Sequence, residues 1–202
     1  MSIEAAIFDI GNVLVRFDWG PAEEQIRSRM GHQRKEAREE FTALKNSFEL
    51  GALSREAFLQ EVIRILDFRG HNDEFVAIWN GIFSPNEVME ELIAHLKGVV
   101  PLYLLSNTSE LHLAYLEERF QILQNFVDGV YSFRARCAKP GREIFTLAAR
   151  QFGVRPSRTI FVDDLEQNVR SAADYGFQVF HYNWRKHAEF RDKLGGFGLV
   201  LR

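Results

Sequence analysis

The amino-acid sequence predicts an α/β protein: a Rossmann-like parallel-sheet core with helices on both faces and a small all-helical cap inserted after the first strand. Three observations carry that expectation. Short unbroken apolar runs recur along the chain and end abruptly at polar residues. Helical patterns separate the later runs from one another. Between Val15 and about Pro85, by contrast, the pattern is helical, with no β-like run.

Taken in order, Ala5–Phe8 is a run of the kind that forms a fully buried strand, and it stops at Asp9, with Gly11 and Asn12 close behind. Helices are expected at about 21–31, 34–50, 54–67 and 72–81. Ser54, ahead of Arg55-Glu56-Ala57-Phe58, has the character of an N-cap, and Gly51 and Gly70 punctuate helix ends. Ser84-Pro85 is expected to reopen a helix with proline in its first turn. Strands follow at Val99–Leu105, Thr159–Val162 and Phe177–His181. Helices follow at Glu110–Phe120, Gly141–Phe152 and Glu166–Tyr175, the last closed by Gly176 at C′. Gly195-Gly196-Phe197-Gly198 reads as a turn into a last short strand. The resulting division is a core of residues 1–16 and 86–202 and a cap of residues 17–85.

Composition narrows the function classes. The 202 residues suffice for one domain with an insertion, and 46% apolar with 26% charged residues is a globular balance. Seven of the 18 phenylalanines (17, 41, 48, 58, 68, 75 and 83) fall in the insertion, which contains no tyrosine. Rings without a hydroxyl suit a small helical unit that must stabilise its own core. A net charge of −3 leaves no electrostatic footprint for nucleic acid or an anionic membrane. Cys137 is the single cysteine, which excludes an intrachain disulfide and a multi-cysteine zinc site. No apolar run reaches the ~18 residues of a membrane span. Asp9 interrupts the N-terminal apolar stretch, and no basic region precedes it, so a cytoplasmic protein is expected. The basic cluster Arg27, Arg29, Arg34, Lys35 and Arg38 is interspersed with glutamates and reads as a solvated helix face, with an anion-attracting rim as the alternative.

Three polar clusters stand at equivalent places, the C-terminal ends of expected strands: Asp9-Ile10-Gly11-Asn12, Ser106-Asn107-Thr108 and Asp163-Asp164. In an open parallel sheet the ligand crevice lies there. A lone carboxylate in such a place is as often a helix cap; three coincident clusters point to a site. Asp9 and Asp164 offer the oxygen ligands Mg²⁺ prefers. A carboxylate can also attack phosphorus to form an aspartyl-phosphate. Ser106 and the backbone N–H groups after it can hold phosphoryl oxygens, with Lys139, in the loop before a helix, as the neutralising cation. Together these are the parts of a phosphoryl-transfer site.

With those residues in place, the chain resembles the haloacid dehalogenase superfamily of hydrolases. The likeness rests on four motifs in order: Phe8-Asp9-Ile10-Gly11-Asn12-Val13, Leu104-Leu105-Ser106-Asn107, Lys139-Pro140, and Phe161-Val162-Asp163-Asp164 with Asn168 four residues on. The resemblance implies a Rossmann-like core, a helical cap, Mg²⁺ and an aspartate nucleophile. On the matching positions it implies that Asp9 attacks phosphorus and that Asp9, the Gly11 backbone carbonyl and Asp164 bind the metal, with Asp163 a further carboxylate acting through water. It also implies that Ser106 and Lys139 hold the phosphoryl group, with Asn107 and Asn12 beside it and Asn168 in support.

One position departs from the family pattern. Most family phosphatases carry a second aspartate two residues after the nucleophile, as general acid and then base; here that residue is Gly11. The chain also resembles a subgroup that includes bacterial α-glucose-1-phosphate phosphatases, through Phe-Asp-x-Gly-Asn-Val, Asp18 nine residues after the nucleophile, and Phe48–Ser54. That likeness implies that the missing aspartate need not abolish activity, with Asp18 a candidate substitute or a hinge or capping residue. Trp19 is expected in the cap core, or as a substrate wall. The expected function is hydrolysis of a small phosphate monoester, such as a sugar phosphate. The alternatives are a catalytically weak phosphate-ligand-binding or partner-binding protein and, less favoured because of Asp163-Asp164, a 2-haloacid dehalogenase.

Overall fold

The computed structural model describes residues 2–31, 36–197 and 199. Five parallel strands, β1 (Ala5–Phe8), β4 (Leu102–Ser106), β5 (Asp128–Tyr131), β6 (Thr159–Asp163) and β7 (Gln178–His181), form one sheet in the order β5-β4-β1-β6-β7. Side chains alternate between its faces. Ala6, Phe8, Leu102, Leu104, Ile160 and Val162 enter one buried cluster, packed against α5 (Glu87–Leu96), α6 (Glu110–Arg119) and α10 (His187–Gly196). Ile7, Leu105 and Phe161 enter the other, under α8 (Arg142–Gln151) and α9 (Glu166–Tyr175). Burial on both faces explains why these strands read as unbroken apolar runs. Gly176 closes α9 at φ 115°, the left-handed conformation expected of a C′ glycine.

Between β1 and α5, helices α1 (Gly20–Arg29), α2 (Ala37–Glu49), α3 (Arg55–Leu66) and α4 (Asn72–Asn80) enclose a core of their own. All seven phenylalanines of this stretch belong to it, with Phe48 and Phe58 stacked 4.1 Å apart. Ser54 caps α3, its hydroxyl accepting from Ala57 N–H.

Three expectations are corrected. The helical stretch is not free of β structure: β2 (Val15–Phe17) pairs antiparallel with β3 (Phe83–Pro85), registering Val15 with Pro85 and Phe17 with Phe83. Ser84-Pro85 therefore closes a ribbon rather than opening a helix. Proline, which has no N–H to donate, is tolerated at such a strand end, and α5 starts after Asn86, whose amide donates to Val13 O at 2.7 Å. The edge strand β5 was not expected, because Asp128-Gly129-Val130-Tyr131 carries no apolar run. Gly195 and Gly196 form the last turn of α10 rather than a loop, and, Leu199 apart, the segment expected as a final strand lies outside the described residues.

The fold is also fastened between helices and sheet. His112 on α6 stacks against Trp79 at 4.9 Å and 13°, its Nε2 3.1 Å from the Trp79 carbonyl. The buried hydroxyl of Ser132, which opens the short α7 (Ser132–Ala135), donates to Glu49 O at the end of α2 (2.6 Å) and accepts from Thr108 N–H (3.0 Å).

Candidate active site

Strand register brings the three polar clusters together. Phe8 lies opposite Leu104 and Val162, and Asp9 N–H donates to Val162 O at 2.9 Å, so Asp9 leaves β1 level with the ends of β4 and β6. The buried Lys139 ammonium reaches in from the loop before α8. Its Nζ is 2.8 Å from Asp9 Oδ1, 2.6 Å from Asp163 Oδ2 and 2.7 Å from Leu105 O. The contacts to Asp163 and Leu105 are hydrogen bonds, and the third is an ion pair with Asp9.

Asp163 is fully buried and saturated. Its Oδ1 accepts from Leu165 N–H (2.9 Å), and the Asn168 amide bridges both its oxygens at 3.0 and 3.1 Å. Asp164 is less buried and accepts from Asn12 Nδ2 at 3.2 Å, while His181 Nε2 donates to its carbonyl at 2.8 Å. Asn12 holds a left-handed φ of 52°, and its other amide atom accepts from Phe17 N–H at 3.4 Å. Asn107 clasps Lys139, donating to its carbonyl at 2.8 Å and accepting from its N–H at 2.9 Å. Ser106 is buried and hydrogen-bonds Asp9.

The electrostatics follow from burial. Loss of solvation is the largest influence on Asp9; with the Asp163 charge it pushes the carboxyl up to about 6, against Lys139 and the Ser106 hydrogen bond. Asp164 is also raised, by burial first and then by Asp163. Burial works against the Lys139 ammonium, but Asp9 and Asp163 outweigh it and hold its pKa above the ordinary lysine value.

One ligand oxygen each from Asp9, Asp163 and Asp164 lies within 4.8 Å of the others, and a single lysine offsets three carboxylates. The buried Asn168 Oδ1 has no partner within the protein. Hard oxygen donors, excess negative charge and an unsatisfied acceptor alongside them suit a hard divalent cation.

Two expected residues lie elsewhere in this arrangement. Asp18 is exposed at the head of α1, where its Oδ1 accepts from Gly20 N–H at 2.9 Å. Trp19 packs edge-on to Trp79 at 5.0 Å and also lines a cavity of about 650 Å³ between α1 and α2. Arg27, Arg38 and Lys45 line the same cavity; Arg34 and Lys35 lie outside the described residues. Sequence reasoning missed the Leu105 carbonyl, which carries no side-chain signal. It also missed Phe17, which reads as one more apolar residue of the insertion.

Comparison with known proteins agrees with this geometry. Over 205 residues the chain is 26% identical to a D-ribitol-5-phosphate phosphatase from Bacteroides thetaiotaomicron, covering 91% of this chain and 96% of that protein. Over 192 residues it is 28% identical to a phosphatase of Mycobacterium tuberculosis, covering 89% and 87%. Its fold matches the crystal structure of a Bacteroides thetaiotaomicron HAD-family enzyme in complex with magnesium and inorganic phosphate, with a TM-score of 0.82 at 23% identity over 93% of this chain and 99% of that one. The sequence model of the haloacid dehalogenase-like hydrolases matches residues 3–176, which include all four motifs and the strands that present them; the chain belongs to that family.

Proposed function

We propose that the protein is a Mg²⁺-dependent phosphatase that hydrolyses a small phosphate monoester through an aspartyl-phosphate on Asp9. The observation that carries the reading is the placing of Asp9: a carboxylate at the end of the central strand, held 2.8 Å from a buried ammonium and inside a cluster of three acidic groups. The named phosphatase relatives support it, and the D-ribitol-5-phosphate phosphatase favours a polyol or sugar phosphate as the substrate class.

In this reading residues 1–16 and 86–202 form the catalytic core and residues 17–85 a cap over it. Asp9, Asp164 and the Gly11 carbonyl would hold Mg²⁺, with Asp163 acting through water and Asn168 supporting it. When bound, the cation neutralises charge on the phosphoryl oxygens. Asp9 attacks phosphorus as the ester oxygen departs, and water then releases phosphate from the carboxylate. Ser106 and the N–H groups after it take phosphoryl oxygens. Lys139, buried between Asp9 and Asp163, acts as fixed positive charge that keeps Asp9 ionised next to Asp163. Asn107 holds Lys139 in place, and Asn12 orients Asp164.

Gly11 favours a second reading, a phosphate-ligand-binding protein with little turnover. One experiment separates the two: a screen of phosphorylated metabolites with Mg²⁺, on the wild type and Asp9→Asn. Phosphate release that disappears in Asp9→Asn supports the enzyme. Ligand-induced thermal stabilisation with no release from any ester supports the binder, and release retained by Asp9→Asn refutes the nucleophile.

A further inference from the structure

Gly11 is not a glycine that its backbone requires. Gly51, Gly98, Gly153 and Gly176 hold positive φ, whereas Gly11 does not. What crowds a side chain there is Phe17. A Cβ on Gly11 would stand 3.0 Å from Phe17 Cε1 and 3.3 Å from Cδ1, a contact so tight that the ring would have to give by a few tenths of an ångström, and 3.9 Å from Asp9 Oδ2. The ring edge thus borders the space beside the nucleophile that a side chain on residue 11 would enter. Phe17 is also tethered. Its strand registers with Phe83, the two rings meet edge-on at 6.4 Å, and its N–H is tied to Asn12.

Among the described residues, the acidic groups that could replace the missing base have other engagements. Asp163 spends its oxygens on Leu165, Asn168 and Lys139. Asp164 belongs to the acidic cluster, and Asp18 is engaged with Gly20. We propose that Phe17 is a positioning residue that disfavours an acidic side chain at residue 11, and that with Gly11 there hydrolysis of phospho-Asp9, not its formation, limits turnover of esters with good leaving groups. The inference rests on the phosphatase reading above.

The two steps differ in what they need. In the first, an Asp9 Oδ–phosphorus bond forms, the ester P–O bond breaks, and the leaving oxygen departs with the bonding pair. An aryl oxide needs no proton to do so. In the second, a water oxygen bonds to phosphorus, the P–Oδ bond breaks with its pair returning to the carboxylate, and the water proton must go to solvent. Losing a positioned base costs about 10²–10⁴ in rate, and for an aryl ester that cost falls on the second step alone.

The test is rapid mixing of the Mg²⁺-loaded protein with p-nitrophenyl phosphate. The wild type is expected to release about one equivalent of p-nitrophenolate per site in a burst, then turn over slowly, with kcat equal among aryl esters while kcat/KM varies. Gly11→Asp alone is expected to leave kcat at or below the wild-type value. Gly11→Asp with Phe17→Ala is expected to raise kcat at least about tenfold and to remove the burst, with KM little changed. Phe17→Leu in place of Phe17→Ala keeps an apolar hinge should the alanine variant unfold, and thermal melts identify that case. Linear release from the first turnover overturns the inference while leaving the phosphatase reading intact. So does a Gly11→Asp single variant as fast as the double. No turnover of any ester overturns both.

Discussion

Asn12 joins the root of the helical segment to the acidic cluster: its Nδ2 donates to Asp164 Oδ2 at 3.2 Å while its Oδ1 accepts from Phe17 N–H at 3.4 Å. The amide can face both ways because Asn12 sits at φ 52°, a conformation asparagine adopts more readily than most residues. Asn12→Gly keeps that conformation and loses both bonds. It is expected to weaken the apparent Mg²⁺ affinity by about three- to tenfold, with a loss of about 1 kcal/mol in stability. Asn12→Ala adds a further strain of ~1 kcal/mol. Activity titrated against Mg²⁺, together with urea denaturation, measures both effects.

Mg²⁺ itself is expected to stabilise the fold, because the clustered carboxylates that would bind it come together only in the folded chain. The melting temperature should rise with Mg²⁺ concentration, return to baseline with EDTA, and respond far less in Asp164→Asn. An equal response in that variant would place the cation elsewhere.

Lys139→Met removes the one cation from between Asp9 and Asp163 and leaves two buried carboxylates facing each other. Breaking a buried pair in this way costs about 3–5 kcal/mol. Lys139→Met combined with Asp163→Asn should recover part of that loss, because one of the stranded charges is gone. Urea midpoints of the two single variants and the double form the cycle that shows it.

His112 is expected to make stability fall in acid. Burial is the main influence that lowers its pKa to about 4, with Lys45 contributing and the Trp79 carbonyl opposing. An unfolded chain takes up this proton near pH 6.5, well before the folded one does, so the unfolded state binds more protons between those values. The contribution is therefore present above about pH 6.5 and is lost as pH falls toward about 4. It amounts to ~3 kcal/mol at most. His112→Gln, which can still donate to Trp79 O, should flatten the urea midpoint between pH 7 and pH 4.5 relative to the wild type.

Much of this was legible in the sequence. Asp9, Ser106, Asp163 and Asp164 are expected at strand ends because runs buried on both faces end where the sheet ends, and Lys139 in the loop before a helix. The phenylalanine excess between Phe17 and Phe83 did mark a separate helical core. What stayed hidden was short or relational. Val15–Phe17 and Phe83–Pro85 are three residues each, too brief for any period, and only their pairing makes them strands. β5 is an edge strand held by its neighbour β4 rather than by its own pattern. That Phe17 bears on Gly11 is a fact of close approach, for which residue type and spacing carry no sign.

The fastening of α1–α4 has a kinematic consequence. A flap joined along one edge swings freely. Here the ribbon of β2 and β3 forms that edge, and two further pins hold the flap down: the buried imidazole of His112 on Trp79 and the buried hydroxyl of Ser132 on Glu49. To swing wide, the segment must expose an indole with no solvent contact and give up the contacts of His112 and Ser132. Its inexpensive motion is then expected to be a slight slide or breath rather than a hinged swing.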